Sequence, residues 1–254
     1  MAFTIDGPPG AVKGKARREH ARIAAFFERG SGVIPLRDDN PSRTFPFATL
    51  LLIGANVAVF LYEISLAPRA LERFVMSYGA IPAAILSDLR VLPDSSLFPW
   101  MTLLTSMFLH GGIMHLVGNM LYLWIFGDNV EDRMGPVRFL TFYVVCGVAA
   151  ALIQIFVRPD STAPLVGASG AIAGILGAYA LLFPGARVQT LIFLFIFVRI
   201  IEIPALLLLG VWFLMQLLSA PASQGAGVAF FAHIGGFLTG MLLMAGFVRR
   251  RRAA

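Results

Sequence analysis

The chain has 254 residues, 58% of them hydrophobic and 13% charged, whereas ordinary soluble domains carry roughly 25% charged residues. That much apolar surface cannot be hidden in a water-soluble core, so a soluble globular class is excluded. The net charge of +6 is spread over short basic segments beside apolar runs without interleaved aromatic platforms, which points to membrane lipid and not to nucleic acid.

Residues 1–46 are polar, broken by Gly and Pro, and basic ("KGKARREHAR"). They lack a short apolar core followed by a small-residue cleavage site, so they read as a cytoplasmic tail and not as a secretory signal. Apolar runs near the roughly 20 residues needed to cross hydrocarbon are expected to span the membrane at 47–66, 106–126, 137–157, 168–183, 202–219 and 229–248. Glu63, near the external end of the first run, is expected to snorkel. The segment 67–105 contains "PAAI" and "LPDSSLFPW" without a continuous run, and reads as an external loop folded partly into the membrane interface. The stretch 188–198 is short, β-branched and aromatic, bounded by Arg187 and Arg199 and followed by Glu202; it is placed at the interface and not counted as a span. The sequence therefore predicts an all-α polytopic membrane protein: a six-helix membrane domain over 47–248, with basic cytoplasmic tails at 1–46 and 249–254.

Six spans put both termini on one side, and charge identifies it. With the termini cytoplasmic, sixteen of the twenty Lys and Arg lie inside, and only Arg69, Arg73, Arg90 and Arg158 lie outside. That is the asymmetry of the positive-inside rule. A seventh span at 188–198 would put Arg249 to Arg252 outside. The single cysteine, Cys146, lies within an apolar run and is expected to pack.

Polar side chains inside spans are expensive and mark functional candidates. His110 and His115 stand in "FLHGGIMHLVGNM", Asn119 lies one helical turn after His115, Ser169 is in "LVGASGAIAG" and His233 is in "FFAHIGGFLTG". By the topology, Ser169, His233, His115 and Asn119 come from three spans that all start outside, and converge at one level in the outer half of the membrane. Gly236 and Gly240, with Gly170 and Gly174, have the four-residue small spacing that lets helix backbones approach closely. A serine hydroxyl becomes a nucleophile when a histidine within hydrogen-bond reach takes its proton. Ser169 would attack a carbonyl, His233 would act as base and then acid, and Asn119, His115 and the Ser169 N–H would hold the oxyanion. No acid is placed to complete a triad. A metal or haem held by His110, His115 and His233 would leave Ser169 and Asn119 unexplained, and no HExxH helix or Cys cluster supports it.

These residues together resemble the rhomboid intramembrane serine proteases: "GASG" with Ser169, "AHIGG" with His233, and the "HxxxN" of His115 and Asn119 preceded by His110. The resemblance covers about 47–248 in order and spacing. It implies a six-helix rhomboid-like bundle, cleavage of transmembrane protein substrates near the outer surface, no metal or cofactor, and a Ser169–His233 dyad with His115 and Asn119 at the oxyanion site. His110 is ranked as a brace for the loop. "GDNVEDRMG" resembles the family's cytoplasmic turn, giving Glu131 and Arg133 a structural role beside Gly167, Gly170, Gly236 and Gly240. There are two departures: Trp100 is followed by Met101 and Thr102 where members often have Trp-Arg, and Ala173 stands where some carry an aromatic residue under the histidine. The expected setting is a bacterial plasma membrane. The competing function is a catalytically inactive rhomboid-like protein that binds transmembrane segments without cutting them.

Overall fold

The structure, a computed structural model, describes residues 33–87, 97–194, 197–222 and 228–248. The basic stretch 1–32, most of "LPDSSLFPW" and the terminal Arg249 to Arg252 lie outside the described residues. The chain opens on strand β1 (Val33–Asp38) and enters helix α1 (Phe47–Ser65). Helix α1 has no cap from its own sequence. The buried carboxylate of Glu131 supplies one, accepting from the Ala48 N–H at 2.9 Å and from the Thr49 N–H and hydroxyl at 2.8 Å. An anionic acceptor there satisfies first-turn donors and complements the positive end of the helix.

The described residues after α1 form short helices. Helix α2 (Pro68–Tyr78) starts at a proline and is amphipathic: Leu71, Phe74, Val75 and Tyr78 share one face at helical spacing. Phe74 packs on Tyr62 of α1 with ring centroids 5.2 Å apart. Helix α3 (Pro82–Ser87) follows. The expected second span does not start at 106. A broken helical segment, Pro99–Phe108, is bent by 80° from helix α4 (Ile113–Met134), because Gly111 and Gly112 interrupt the run with residues of poor helix propensity. Gly135, at φ 82°, turns the chain into helix α5 (Pro136–Val157), a conformation that favours glycine. Arg133, just before this turn, lies over the Phe183 ring at 5.6 Å.

Helix α6 (Ser169–Leu182) leads into a hairpin of β2 (Arg187–Leu194) and β3 (Phe197–Pro204), and helices α7 (Ala205–Ser219) and α8 (Phe230–Phe247) complete the bundle. The all-α expectation is thus corrected. Residues 188–194 and 197–198, with the first residues assigned to the fifth span, Glu202 included, pair with β1 in an antiparallel sheet of order β1-β2-β3. β-Branched and aromatic residues favour the pleated conformation, and Val188 and Thr190 on one face of β2 are fully buried.

By length and composition α1, α5 and α8 can each cross a membrane, and the bent pair ending in α4 adds a fourth candidate; α6 and α7 are apolar but shorter. Residues such as Leu242, Phe156, Leu206 and Leu207 are exposed on the outer faces, as suits a hydrocarbon surround. Inside, Tyr143, Tyr179, Phe126, Phe139 and Phe142 are fully buried. Helices α6 and α8 approach each other backbone to backbone. A Cβ on Gly236 would overlap the Gly170 carbonyl, one on Gly240 would overlap the Gly174 carbonyl, and one on Gly177 would overlap the Phe237 carbonyl. Bare backbones therefore meet along two turns, the contact that small residues permit. Gly174 also receives Cys146 of α5.

Candidate active site

The segment before α6 is held on two sides. Leu165 and Ala80 exchange backbone hydrogen bonds, with the Leu165 N–H donating at 2.8 Å and the Ala80 N–H at 3.1 Å, and the Gly167 N–H donates to the Ser106 carbonyl at 2.9 Å. Gly167 takes φ 120°, a conformation in which a side chain would be strained, and so aims the chain into the helix. Ser169 is the first residue of α6, which leaves its N–H among the first-turn donors that have no intrahelical acceptor.

His233 lies in the first turn of α8, at the other side of the glycine contact. The Ala232 N–H donates to the side-chain carbonyl of Gln154 on α5 at 3.2 Å, fixing the start of the helix. The imidazole Nε2 stands 2.8 Å from Ser169 Oγ, and Nδ1 stands 2.8 Å from Gln216 Oε1 on α7. Trp212 flanks the imidazole with ring centroids 6.0 Å apart. The acid-free pair expected from the sequence therefore has an amide on its far side. Gln216 was not singled out by sequence; its only signal was one amide in an otherwise apolar run.

His115 and Asn119, on the first turns of α4, border the same space. A methyl on Gly167 would lie 2.8 Å from the His115 ring and 3.6 Å from Asn119 Nδ2. His115 Nδ1 accepts the Gly111 N–H at a long 3.4 Å, and the Cε1–Nε2 edge of the ring faces Gly167. Asn119 is buried and its Nδ2 has no partner. A buried amide donor without an acceptor is costly unless an incoming oxygen supplies one.

His110 occupies the bend between the broken segment and α4. Its ring packs edge-on to His115 at 5.1 Å and neither ring nitrogen has a hydrogen-bond partner. Its N–H donates to the Glu63 carboxylate, 3.2 and 3.4 Å from the two oxygens. Glu63 does not snorkel: it is 2% exposed, drawn inward by the backbone donor that the helix break frees. No three His, Cys, Asp or Glu side chains form a metal-binding group among the described residues.

A half-buried serine and histidine held against each other by separate apolar helices, with the unpartnered Asn119 amide nearby, define a class: helical membrane proteins with a polar cluster between their helices. Comparison with known proteins makes this specific. Residues 98–250 match the Rhomboid domain, and the chain belongs to the rhomboid family of membrane proteins. It is 30% identical over 203 residues to Rhomboid protein 1, mitochondrial, of Saccharomyces cerevisiae, covering 75% of this chain and 50% of that one. It is 32% identical over 164 residues to Rhomboid protease GluP of Bacillus subtilis, covering 65% and 27%. With Rhomboid protease AarA of Providencia stuartii it shares 31% over 145 residues, 51% and 48% of the two chains. The chain thus spans half or less of the length of these three relatives.

Proposed function

We propose that the protein is an intramembrane serine endopeptidase that cuts transmembrane protein substrates near the external interface with a Ser169–His233 dyad. The observation that carries this reading is the 2.8 Å approach of His233 Nε2 to Ser169 Oγ, within the roughly 2.6–3.2 Å over which a base can take the hydroxyl proton. Ser169 attacks the substrate carbonyl carbon while its proton passes to His233. The carbonyl oxygen, now negative, is received by the Ser169 N–H, the unpartnered Asn119 amide and the His115 imidazole N–H. His233 returns the proton to the leaving amine, and water then hydrolyses the acyl-enzyme with His233 again as base.

Helix lengths support a site near one surface. At 1.5 Å per residue the 14 residues of α6 rise about 21 Å, against a hydrocarbon core of about 30 Å. With the Leu182 end at the cytoplasmic surface, Ser169 sits roughly 9 Å below the opposite one, shallow enough for water to arrive. In this reading the six spans are the bent pair ending in α4 together with α1, α5, α6, α7 and α8, and both termini are cytoplasmic. The setting is a bacterial plasma membrane, in keeping with the bacterial relatives and the inward bias of Lys and Arg; the match to a mitochondrial protein makes localisation of a tagged chain a necessary companion experiment. No metal or cofactor takes part.

The test is cleavage of a single-span substrate in liposomes by wild type, Ser169→Ala and His233→Ala, with the cut located by mass spectrometry. Loss of cleavage in both folded variants, at a bond near the external interface, is expected. A folded wild type that cuts none of several substrates would leave the protein as a non-catalytic binder of transmembrane segments.

A further inference from the structure

We propose that Gln216 is a positioning residue for His233, holding the imidazole in the one tautomer that can act as a base toward Ser169. The inference rests on the protease reading above and adds to it a third member, contributed by α7.

Neutral imidazole carries one proton, on Nδ1 or on Nε2, and the partner of one nitrogen decides the state of the other. A serine hydroxyl can give its proton only to an unprotonated Nε2. The Nδ1 partner here is an amide, which offers either an oxygen or an NH2. The remaining contact of Gln216 settles which. Its Nε2 donates to the Trp212 carbonyl one turn back at 3.3 Å, so the oxygen is the atom 2.8 Å from His233 Nδ1. Oε1 accepts, Nδ1 carries the proton, and His233 Nε2 presents its lone pair to Ser169 Oγ at 2.8 Å. When the hydroxyl proton transfers, the imidazolium keeps its Nδ1–H bond to Gln216. The amide takes no proton, so the histidine is not drained of its acidity before it protonates the leaving amine.

The surroundings make a merely incidental contact a poor account. Gln216 is 9% exposed on a helix whose other residues are almost all apolar, and a buried amide there is costly unless its polar atoms are paired. Both are, one to its own helix and one to the histidine. Ala173 leaves no aromatic ring on α6 beneath His233, and Trp212 flanks the imidazole from the same helix that brings Gln216. Helix α7 therefore orients His233 by a flat neighbour and by a directed acceptor together.

The experiment pairs two variants with two readouts. Gln216→Met keeps the length and removes the acceptor. Gln216→Glu keeps an acceptor oxygen and, when protonated, also a donor for the Trp212 carbonyl. Labelling of Ser169 by a fluorophosphonate measures nucleophile activation without substrate docking, cleavage of a single-span substrate separates kcat from KM, and isotope-labelled histidine NMR reads the tautomer. Gln216→Met is expected to slow labelling and kcat by roughly 10- to 100-fold with KM little changed, and to remove the fixed Nδ1–H signal; Gln216→Glu is expected to restore most of both. A Met variant that labels at the wild-type rate, or a wild-type His233 protonated on Nε2, would overturn the role of Gln216. A wild type that never labels, yet loses its Nδ1–H tautomer in Gln216→Met, would overturn the protease reading while supporting the positioning contact.

Discussion

The contact between α6 and α8 is what places the histidine against the serine, so the sharpest perturbation is a single methyl inserted there. In Gly236→Ala the new Cβ would overlap the Gly170 carbonyl, a backbone atom next to Ser169, and would also press on Ala173 at 3.3 Å. No flexible side chain end is available to yield, so the helices must separate, by on the order of 1 Å to regain van der Waals contact. His233 lies three residues before the insertion and Ser169 one before the carbonyl it strikes. Their 2.8 Å hydrogen bond would stretch beyond the reach of proton transfer. Overpacking of this kind destabilises by about 1–3 kcal/mol, whereas misplacing a catalytic group by ~1 Å costs about 10²-fold in rate. The expected result is a protein that still folds but cleaves about a hundredfold more slowly. The control is Gly246→Ala on the same helix, where a Cβ meets nothing within 4 Å and helix propensity favours alanine by up to about 1 kcal/mol. Thermal unfolding in detergent and turnover in liposomes are measured for both. Full activity in Gly236→Ala, or equal losses in the two variants, would refute the claim that the glycine contact sets the dyad.

Removing the amide in Asn119→Ala should lower kcat by about 10²-fold if it is a main oxyanion donor, with KM little affected; an unchanged rate would reassign Asn119 to structure. Glu131→Ala strips the acceptor from the first turn of α1 and should lower stability by about 1.5–3 kcal/mol, read by reversible unfolding in mixed micelles, with activity per folded molecule preserved. At the β1 end, burial raises the Asp38 carboxyl from 3.8 to about 6, opposed by its hydrogen bond from Tyr179 and reinforced by Asp128 and Asp39 nearby. Because the folded-state value is raised, the docked strand binds a proton that the undocked one does not. Docking should therefore strengthen as pH falls through about 6 and weaken as it rises. Hydrogen exchange of residues 33–38, corrected for intrinsic rates, should slow between neutral pH and pH about 5, and Asp38→Asn should flatten the response; a pH-independent wild type would count against it.

What could be read without coordinates was whatever is local in the chain or forced by the membrane. Apolar runs near span length, and the few polar residues set within them, stand out because putting charge or an unpaired dipole into hydrocarbon is costly. That cost brought out Ser169, His233, His115 and Asn119 together, and the glycine spacing on two runs foreshadowed the backbone contact between α6 and α8. What depends on distant partners was decided only in three dimensions. Strand β1 pairs with β2 across some 150 residues, so Val33–Asp38 carried no local sign of its partner. The stretch 188–198 was set apart from the spans by its length and its β-branched residues, but a short apolar run does not name its strand partners, so its pairing with β1 was not legible. Glu63 looked exposed until the bend at His110 supplied a backbone donor for it, and Gln216 looked like a stray amide until α7 set it beside Nδ1 of His233. Sequence records which groups are too polar for their surroundings; only packing decides which of them satisfy one another, because hydrogen bonds are directional and reach about 3 Å.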